Sequence, residues 1–408
     1  MRLRLIFRHR GVIPQALTNL TAVQGLRPLH VTPSTMADKK LFTPGPLGTS
    51  MSVKQAMLRD LGSRDVEFIS LVKYIRTKLC KIAGVPQSEF TAVPMQGSGT
   101  YGVESVFQTA CPRKGANVLC IENGAYGKRL GKICDVMGVK YRVLSFPENE
   151  FVDPVAVQKA LKGDRSITMV AMVHCETSSG VFNPVVEVGQ LVKHELPGSV
   201  FFVDAMSSFG AVPLDLMRGH VDFLVSSANK CLEGVPGFAY VIARISELNK
   251  CKGNSRSLSL DVFDQYENLE KTSQFRFTPP THAMLAFSQA LRELDSEGGV
   301  AGRSARYSEN CELLKAGMKE MGFKEFLEPK HKGYIITSFR FPQHPNFNFN
   351  TFYTKLNEKD QVIYPGKVLN ADCFRIGNIG HLFPADMKHL LACVREVCKD
   401  MGMPLPLT

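Results

Sequence analysis

The sequence predicts an α/β protein: a large, mostly parallel seven-stranded sheet, then a smaller C-terminal α+β unit. Three observations carry this. Seven short β-rich runs lie between residues 90 and 244, with helix-like segments among them. Most of these runs are apolar at successive rather than alternate positions, as strands covered on both faces are. Near residue 300 the alternation stops, and a long helix-like stretch leads into a shorter mixed segment. A chain of 408 residues with 44% hydrophobic content can bury a large core and prompts more than one unit. The expected boundaries are 1–37 for an N-terminal segment, 38–295 for the large unit and 296–408 for the small one.

In order, the strand-like runs are "FTAVPMQ", "NVLCIE", "YRVLSF", "ITMVAMVHCE", "SVFFVDA", "VDFLVSS" and "GFAYVIA". Each is rich in Val, Ile, Phe, Tyr or Thr, the residues that suit a pleated surface. Between them "GVESVFQTAC", "YGKRLGKICDVMG" and "VVEVGQLVKHEL" read as helices, the first and third stopping at a proline and the second at glycine. The smaller unit opens with the helix "SARYSENCELLKAGMKEMG". The runs "GYIITSFRF", "VIYPG" and "CFRIGNIG" follow, and "ADMKHLLACVREVCKDMG" closes it as a helix.

Charge is uneven. Residues 1–37 hold Arg2, Arg4, Arg8, Arg10 and Arg27 and no acid; removing those five from the formal net charge of +11 leaves +6 on the remainder. No basic run with interleaved aromatics appears, so nucleic-acid binding is unsupported. The Arg-rich, acid-free start has the composition of a mitochondrial transit peptide, which predicts a matrix protein, or a cytoplasmic one if Met36 is the working start. No run reaches the roughly 18 apolar residues of a membrane span. The eleven cysteines form no C-x-x-C pair, and several sit in apolar runs, so buried thiols are expected rather than disulfides or a metal site.

Three features carry chemistry. Gly97-Ser98-Gly99-Thr100-Tyr101-Gly102 fits G-x-G-x-x-G after a strand and before a helix, and Glu122 ends the following strand. That is the pattern of a dinucleotide turn, but it says only that amides and hydroxyls at a helix N-terminus can hold a phosphate. Asp204 ends an apolar strand, where a carboxylate needs a partner. Lys230 follows the next strand, in "VSSANKCLEGVPG", a stretch otherwise kept small. In an open α/β sheet such strand ends face one crevice. A phosphate cradle, a carboxylate and a lysine at one sheet edge match the needs of pyridoxal 5′-phosphate.

At this point the chain resembles the class V, fold type I, pyridoxal-phosphate-dependent aminotransferases over residues 41 to about 395. The matching stretches are "LFTPGPLGTS", "MQGSGTYGVESV", "NGAYGKRL", "AMVHCETSSGVFNP", "VDAMSSFGAVPLD", "SSANKCLEGVPGFA", "CKGNSRSLSLD", "FRFTPPTH", "VIYPGKV" and "CFRIGNIG". The resemblance implies that Lys230 bonds the cofactor and Asp204 partners its ring nitrogen. Ser98, Gly99 and Thr100 would hold its phosphate with Ser227 and Asn229. Tyr126 would stack on the ring, and Thr177 would reach its hydroxyl. Thr278 would reach the phosphate of a neighbouring subunit, which implies a homodimer. Arg375 would bind the substrate anion.

The resemblance also implies a ping-pong exchange of 2-aminoethylphosphonate and pyruvate for phosphonoacetaldehyde and L-alanine. Alanine–glyoxylate or serine–pyruvate transamination is the alternative with the same machinery, and a NAD-dependent dehydrogenase built on residues 97–122 is a remote one. "CKGNSRSLSLD" favours the phosphonate, through its cationic and hydroxyl donors. Each side chain has a plainer alternative: Tyr126 a core aromatic, Thr177 and Thr278 turn or cap residues, Arg375 a partner of Asp372. Glu233, three residues beyond Lys230, would raise the lysine's pKa if it lay unscreened beside it.

Overall fold

The computed structural model describes residues 38–331, 333–364 and 372–407. Its central sheet consists of β1 (Phe90–Gln96), β2 (Asn117–Glu122), β3 (Lys140–Ser145), β4 (Met169–Val173), β5 (Val200–Asp204), β6 (Phe223–Ser227) and β7 (Phe238–Arg244). The strand order is β1-β7-β6-β5-β4-β2-β3. The pairings from β6 through β5, β4 and β2 to β3 are parallel, while β7 runs antiparallel to both β6 and β1. Every residue of β4 and β6 is buried, so both faces of the sheet centre are covered. The edge strand β3 is largely exposed, and its Lys140 and Arg142 disfavour pairing with another chain.

The labelled helices are α1 (Val66–Ile82), α2 (Gly99–Ala110), α3 (Ala125–Met137), α4 (Pro154–Gly163), α5 (Val185–Glu195), α6 (Val262–Thr272), α7 (Thr281–Ser296), α8 (Gly299–Glu320), α9 (Phe349–Glu358) and α10 (Pro384–Asp400). Two more strands, β8 (Ile336–Arg340) and β9 (Cys373–Gly377), form a separate antiparallel pair. Contacts gather Lys39–Thr408 into one compact unit. Within it, the largest apolar cluster surrounds the central sheet, and a second is built on β8, β9, α9, α10 and the C-terminal half of α8. Phe42, ahead of β1, enters that second cluster. All eleven cysteines are buried and free.

Two local departures from the expected elements shape the site. The run "ITMVAMVHCE" is not one strand: it leaves the sheet after Val173, and Cys175–Glu176 turns aside to pair with Val181–Phe182. The turn is held from both sides, since the His174 N–H donates to the Asp204 carbonyl and the Asn183 N–H to that of His174, each at 2.8 Å. The second departure is the path of α2. It follows the edge strand β1 yet lies over β7 and β6. A Cβ added at Gly102 would come within 2.7 Å of the Ala239 Cβ and 3.0 Å of Val225, so only glycine lets the helix approach this closely. In this way the N-terminus of α2 reaches the sheet centre, where Gly99 abuts Met206.

Candidate active site

β5 and β6 are neighbours in register, with Asp204 opposite Val225. Asp204 therefore ends one strand where the next continues only to Ser227 before turning through Ala228 and Asn229 to Lys230. The Lys230 ammonium donates to the Pro44 carbonyl at 2.7 Å. Gly45 makes room for it: its φ is +120°, and a Cβ there would fall 2.7 Å from the lysine Cδ. Burial pushes the Lys230 pKa down from 10.5 to about 8, against the nearby Cys231 and Asp204, which raise it. At pH 7 this raises the share of neutral, nucleophilic amine above that of an ordinary lysine. Burial also pushes Asp204 up, from 3.8 to about 6, although the Met206 N–H donates to its Oδ1 at 2.9 Å.

Above these two groups lies the start of α2. Ser98 is its N-cap residue but makes no side-chain cap, so the helix's first amides keep donors free for an anion. Thr100 Oγ1 accepts from Arg129 Nη1 at 3.0 Å, and the same guanidinium lies 4.8 Å from the ring centre of Tyr126. Ser227 donates to Asn229 Oδ1 at 3.1 Å. Thr278 stands apart: it is exposed ahead of α7 and hydrogen-bonds none of the other expected residues among the described ones.

The opposite wall comes from the turned-aside segment after His174. Thr177 Oγ1 donates to Ser207 Oγ at 2.7 Å, and its carbonyl accepts from Arg375 Nη1 at 2.8 Å. Arg375, on β9, is buried; Tyr364 covers its guanidinium face at 4.7 Å, and its Nε has no partner among the described residues. Among those residues no carboxylate, Asp372 included, forms an ion pair with it. A buried guanidinium with an unanswered N–H is a ready anion ligand. Burial lowers its pKa from 12.5, opposed by Tyr126, Tyr364 and Glu176.

Glu233 faces away from the lysine. It accepts from Arg306 at 2.7 Å and from the Tyr307 hydroxyl at 2.5 Å, with Arg303 at 3.3 Å. Two guanidinium groups thus screen its charge, and the Lys230 shift is dominated by burial instead. The network ties the lysine loop to α8, while Arg306 also donates to the Gly380 and Leu382 carbonyls beyond β9.

Sequence reasoning missed Pro44, Gly45, Arg129 and Glu176. For Glu176 a signal existed, a carboxylate in an otherwise apolar run, the same feature that marked Asp204. Pro44 acts through its carbonyl, which no side-chain pattern reveals.

The family model described as aminotransferase class-V matches residues 49–364. The chain is 50% identical over 363 residues to a 2-aminoethylphosphonate–pyruvate transaminase of Syntrophobacter fumaroxidans, covering 89% of this chain and 97% of the relative. The chain belongs to the class-V aminotransferases. A second relative of this aminotransferase, the 2-aminoethylphosphonate–pyruvate transaminase of a Bacteroides fragilis strain, is 48% identical over 87% of the chain and 98% of its own length. Among solved structures, an alanine–glyoxylate aminotransferase from Nostoc sp. superposes with a TM-score of 0.82 at 26% identity, covering 91% of this chain and 97% of that one. The ureidoglycine–glyoxylate aminotransferase of Bacillus subtilis gives 0.82 at 21% identity over 90% and 95%, a likeness of fold alone.

Three expectations change. The mitochondrial localisation is withdrawn, because these relatives of the aminotransferase are bacterial enzymes; residues 1–37, on which it rested, lie outside the described residues. The dehydrogenase alternative fails on family, and Glu122, at the end of β2, is already bonded to Ser145. The segment "CKGNSRSLSLD" does not support the phosphonate either. Arg256 donates to the Cys111 and Pro112 carbonyls at the far end of α2, about 18 Å along the helix from Ser98.

Proposed function

We propose that this aminotransferase moves the amino group of 2-aminoethylphosphonate to pyruvate, giving phosphonoacetaldehyde and L-alanine, with pyridoxal 5′-phosphate as cofactor. One observation carries the chemistry: a buried amine with its pKa brought to about 8 stands beside a buried strand-end carboxylate and an uncapped helix N-terminus. That donor set fits the cofactor's aldehyde, ring nitrogen and phosphate. The substrate pair is favoured by the named activity of relatives at 47–50% identity, against 26% for the alanine–glyoxylate enzyme.

In this reading residues 38–295 form the cofactor-holding domain and 296–408 the small domain that supplies Arg375. When bound, the cofactor supplies an electron sink for cleavage of the bond from the donor carbon to hydrogen. Asp204 keeps a negative charge at the ring nitrogen. Lys230, held by the Pro44 carbonyl, stores the proton between its removal from one carbon and its return to another. Ser98, Gly99, Thr100, Ser227 and Asn229 hold the phosphate, Tyr126 lies on the ring and Thr177 reaches its hydroxyl. Thr278 serves a second copy's site in a homodimer. That reading gives a use to the exposed Phe277 beside it and to Tyr101 in the cradle, 50% and 55% accessible in the single chain.

Rates with 2-aminoethylphosphonate plus pyruvate, set beside rates with alanine plus glyoxylate, test the substrate assignment. The first pair reacts faster; preference for the second would reverse it.

In a two-stage exchange one pocket holds the phosphonate of the donor and then the carboxylate of pyruvate. Arg375→Lys replaces a planar fork by a point charge and removes one charge-assisted hydrogen bond, about 1.5–3 kcal/mol. Single-turnover measurements should show each half-reaction slowed about ten- to a hundredfold in kcat/KM. A loss confined to the pyruvate half would assign the phosphonate to another residue.

A further inference from the structure

Glu176 is completely buried, yet the chemistry proposed above does not use it. It sits in the segment that turns out of the sheet after His174, and its carboxylate meets the start of α3. Oε2 accepts from the Gly127 N–H at 3.0 Å, and Oε1 from the Tyr126 N–H at 3.3 Å. Oε1 also accepts from Ser178, through its hydroxyl at 2.6 Å and its N–H at 3.2 Å. The Ser178 hydroxyl in turn accepts from the Ala125 N–H at 3.2 Å. The first three amides of α3 are thus answered from another segment of the chain, because the helix's own N-cap residue, Gly124, has no side chain to do it. Gly124 is small because the carboxylate is there: an added Cβ would lie within 2.5 Å of the Glu176 Cδ. A negative charge at a helix N-terminus also suits the helix dipole, which helps to hold this carboxylate where no cation among the described residues pairs with it.

The first turn of α3 carries Tyr126, and Arg129 follows that turn directly, its guanidinium spanning from the Tyr126 ring to Thr100 in the cradle. We infer that Glu176 is a positioning residue: by capping α3 from outside the helix it sets the plane of Tyr126, and so the stacking of the cofactor. The inference rests on the cofactor reading above. Thr177, next in sequence, holds Arg375 through its carbonyl. One short segment therefore fixes the ring-facing wall through Glu176 and the substrate-facing wall through Thr177.

The test is a double-mutant cycle on the equilibrium dissociation constant for pyridoxal 5′-phosphate, measured by titrating full-length apoprotein and following visible circular dichroism of the bound ring. Glu176→Gln keeps the size of the side chain but turns a donor towards an amide that needs an acceptor. It should weaken binding about tenfold and diminish the dichroic band. If Glu176 acts through Tyr126, the variant carrying both Glu176→Gln and Tyr126→Ala binds no more weakly than Tyr126→Ala alone. Additive losses, or unchanged affinity and dichroism in Glu176→Gln, overturn the inference. Should Glu176→Gln not fold, Ser178→Ala, which removes only the hydroxyl link, takes its place in the same cycle with the same two outcomes. Failure of the unaltered protein to bind the cofactor would instead sink the functional reading itself.

Discussion

Lys230→Ala should abolish covalent attachment of the cofactor and lower transamination by at least about a thousandfold, since it removes both the nucleophile and the proton carrier. The fold should survive. The amine is buried and its pKa depressed, so its transfer from water opposes folding, and alanine forgoes only the hydrogen bond to the Pro44 carbonyl. The sign follows from proton counting. Between pH 8 and 10.5 the folded protein binds fewer protons at this site than the unfolded chain, so Lys230 makes stability rise with pH across that window. The alanine variant should lack this rise, and thermal unfolding at pH 7 and pH 10 measures it. Wild-type turnover in Lys230→Ala would remove the lysine from the mechanism.

Asp204→Asn should have the second largest effect, and opposite signs in two assays. Activity should fall about 10²–10³-fold, because an amide offers the ring nitrogen no charge while leaving the geometry similar. The cofactor-free protein should become more stable at pH 7. Burial raises the Asp204 pKa from 3.8 to about 6. The folded state therefore holds its proton more tightly than the unfolded chain, and stability is lost as pH rises through that interval. Above it the cost is complete, about 3 kcal/mol at most. Asparagine keeps an oxygen for the Met206 N–H and carries no charge, so it escapes this cost. A site that lowers stability while serving activity is a familiar exchange at catalytic centres. Equal thermal midpoints for both cofactor-free proteins at pH 7 would show that Asp204 is better solvated than its surroundings indicate.

Much of this was legible in the sequence because burial dictates composition. Strands β4, β5 and β6 announce themselves as unbroken apolar runs, since a sheet covered on both faces has no use for alternation. Lys230 and Asp204 stood out against such runs as charges that needed a reason. The antiparallel β7 was legible too, though it went unread. Only ten residues separate Ser227 from Phe238, too few for the crossover a parallel neighbour requires.

Other features had no local signature. The break at His174 depends on backbone hydrogen bonds that His174 donates to the distant Asp204 carbonyl and accepts from the Asn183 N–H. The return of α2 across the sheet depends on what Gly102 meets, Ala239 and Val225, which spacing in sequence does not encode. The misjudged "CKGNSRSLSLD" segment shows the converse. Its cations looked like anion ligands, but Arg256 answers carbonyls at a helix C-terminus, a structural use that looks the same in sequence. Arg375 escaped that fate because its Nε is left without a partner among the described residues.

The proposed mechanism turns on Lys230 as the residue that bonds the cofactor. Borohydride reduction of the cofactor-loaded protein fixes that bond, and peptide mass mapping then locates the added mass. A single modified peptide is expected, with the mass on Lys230, and none when an amino donor is added before reduction. Mass on any other lysine, or none on Lys230 in protein that binds the cofactor and turns over, would contradict the assignment.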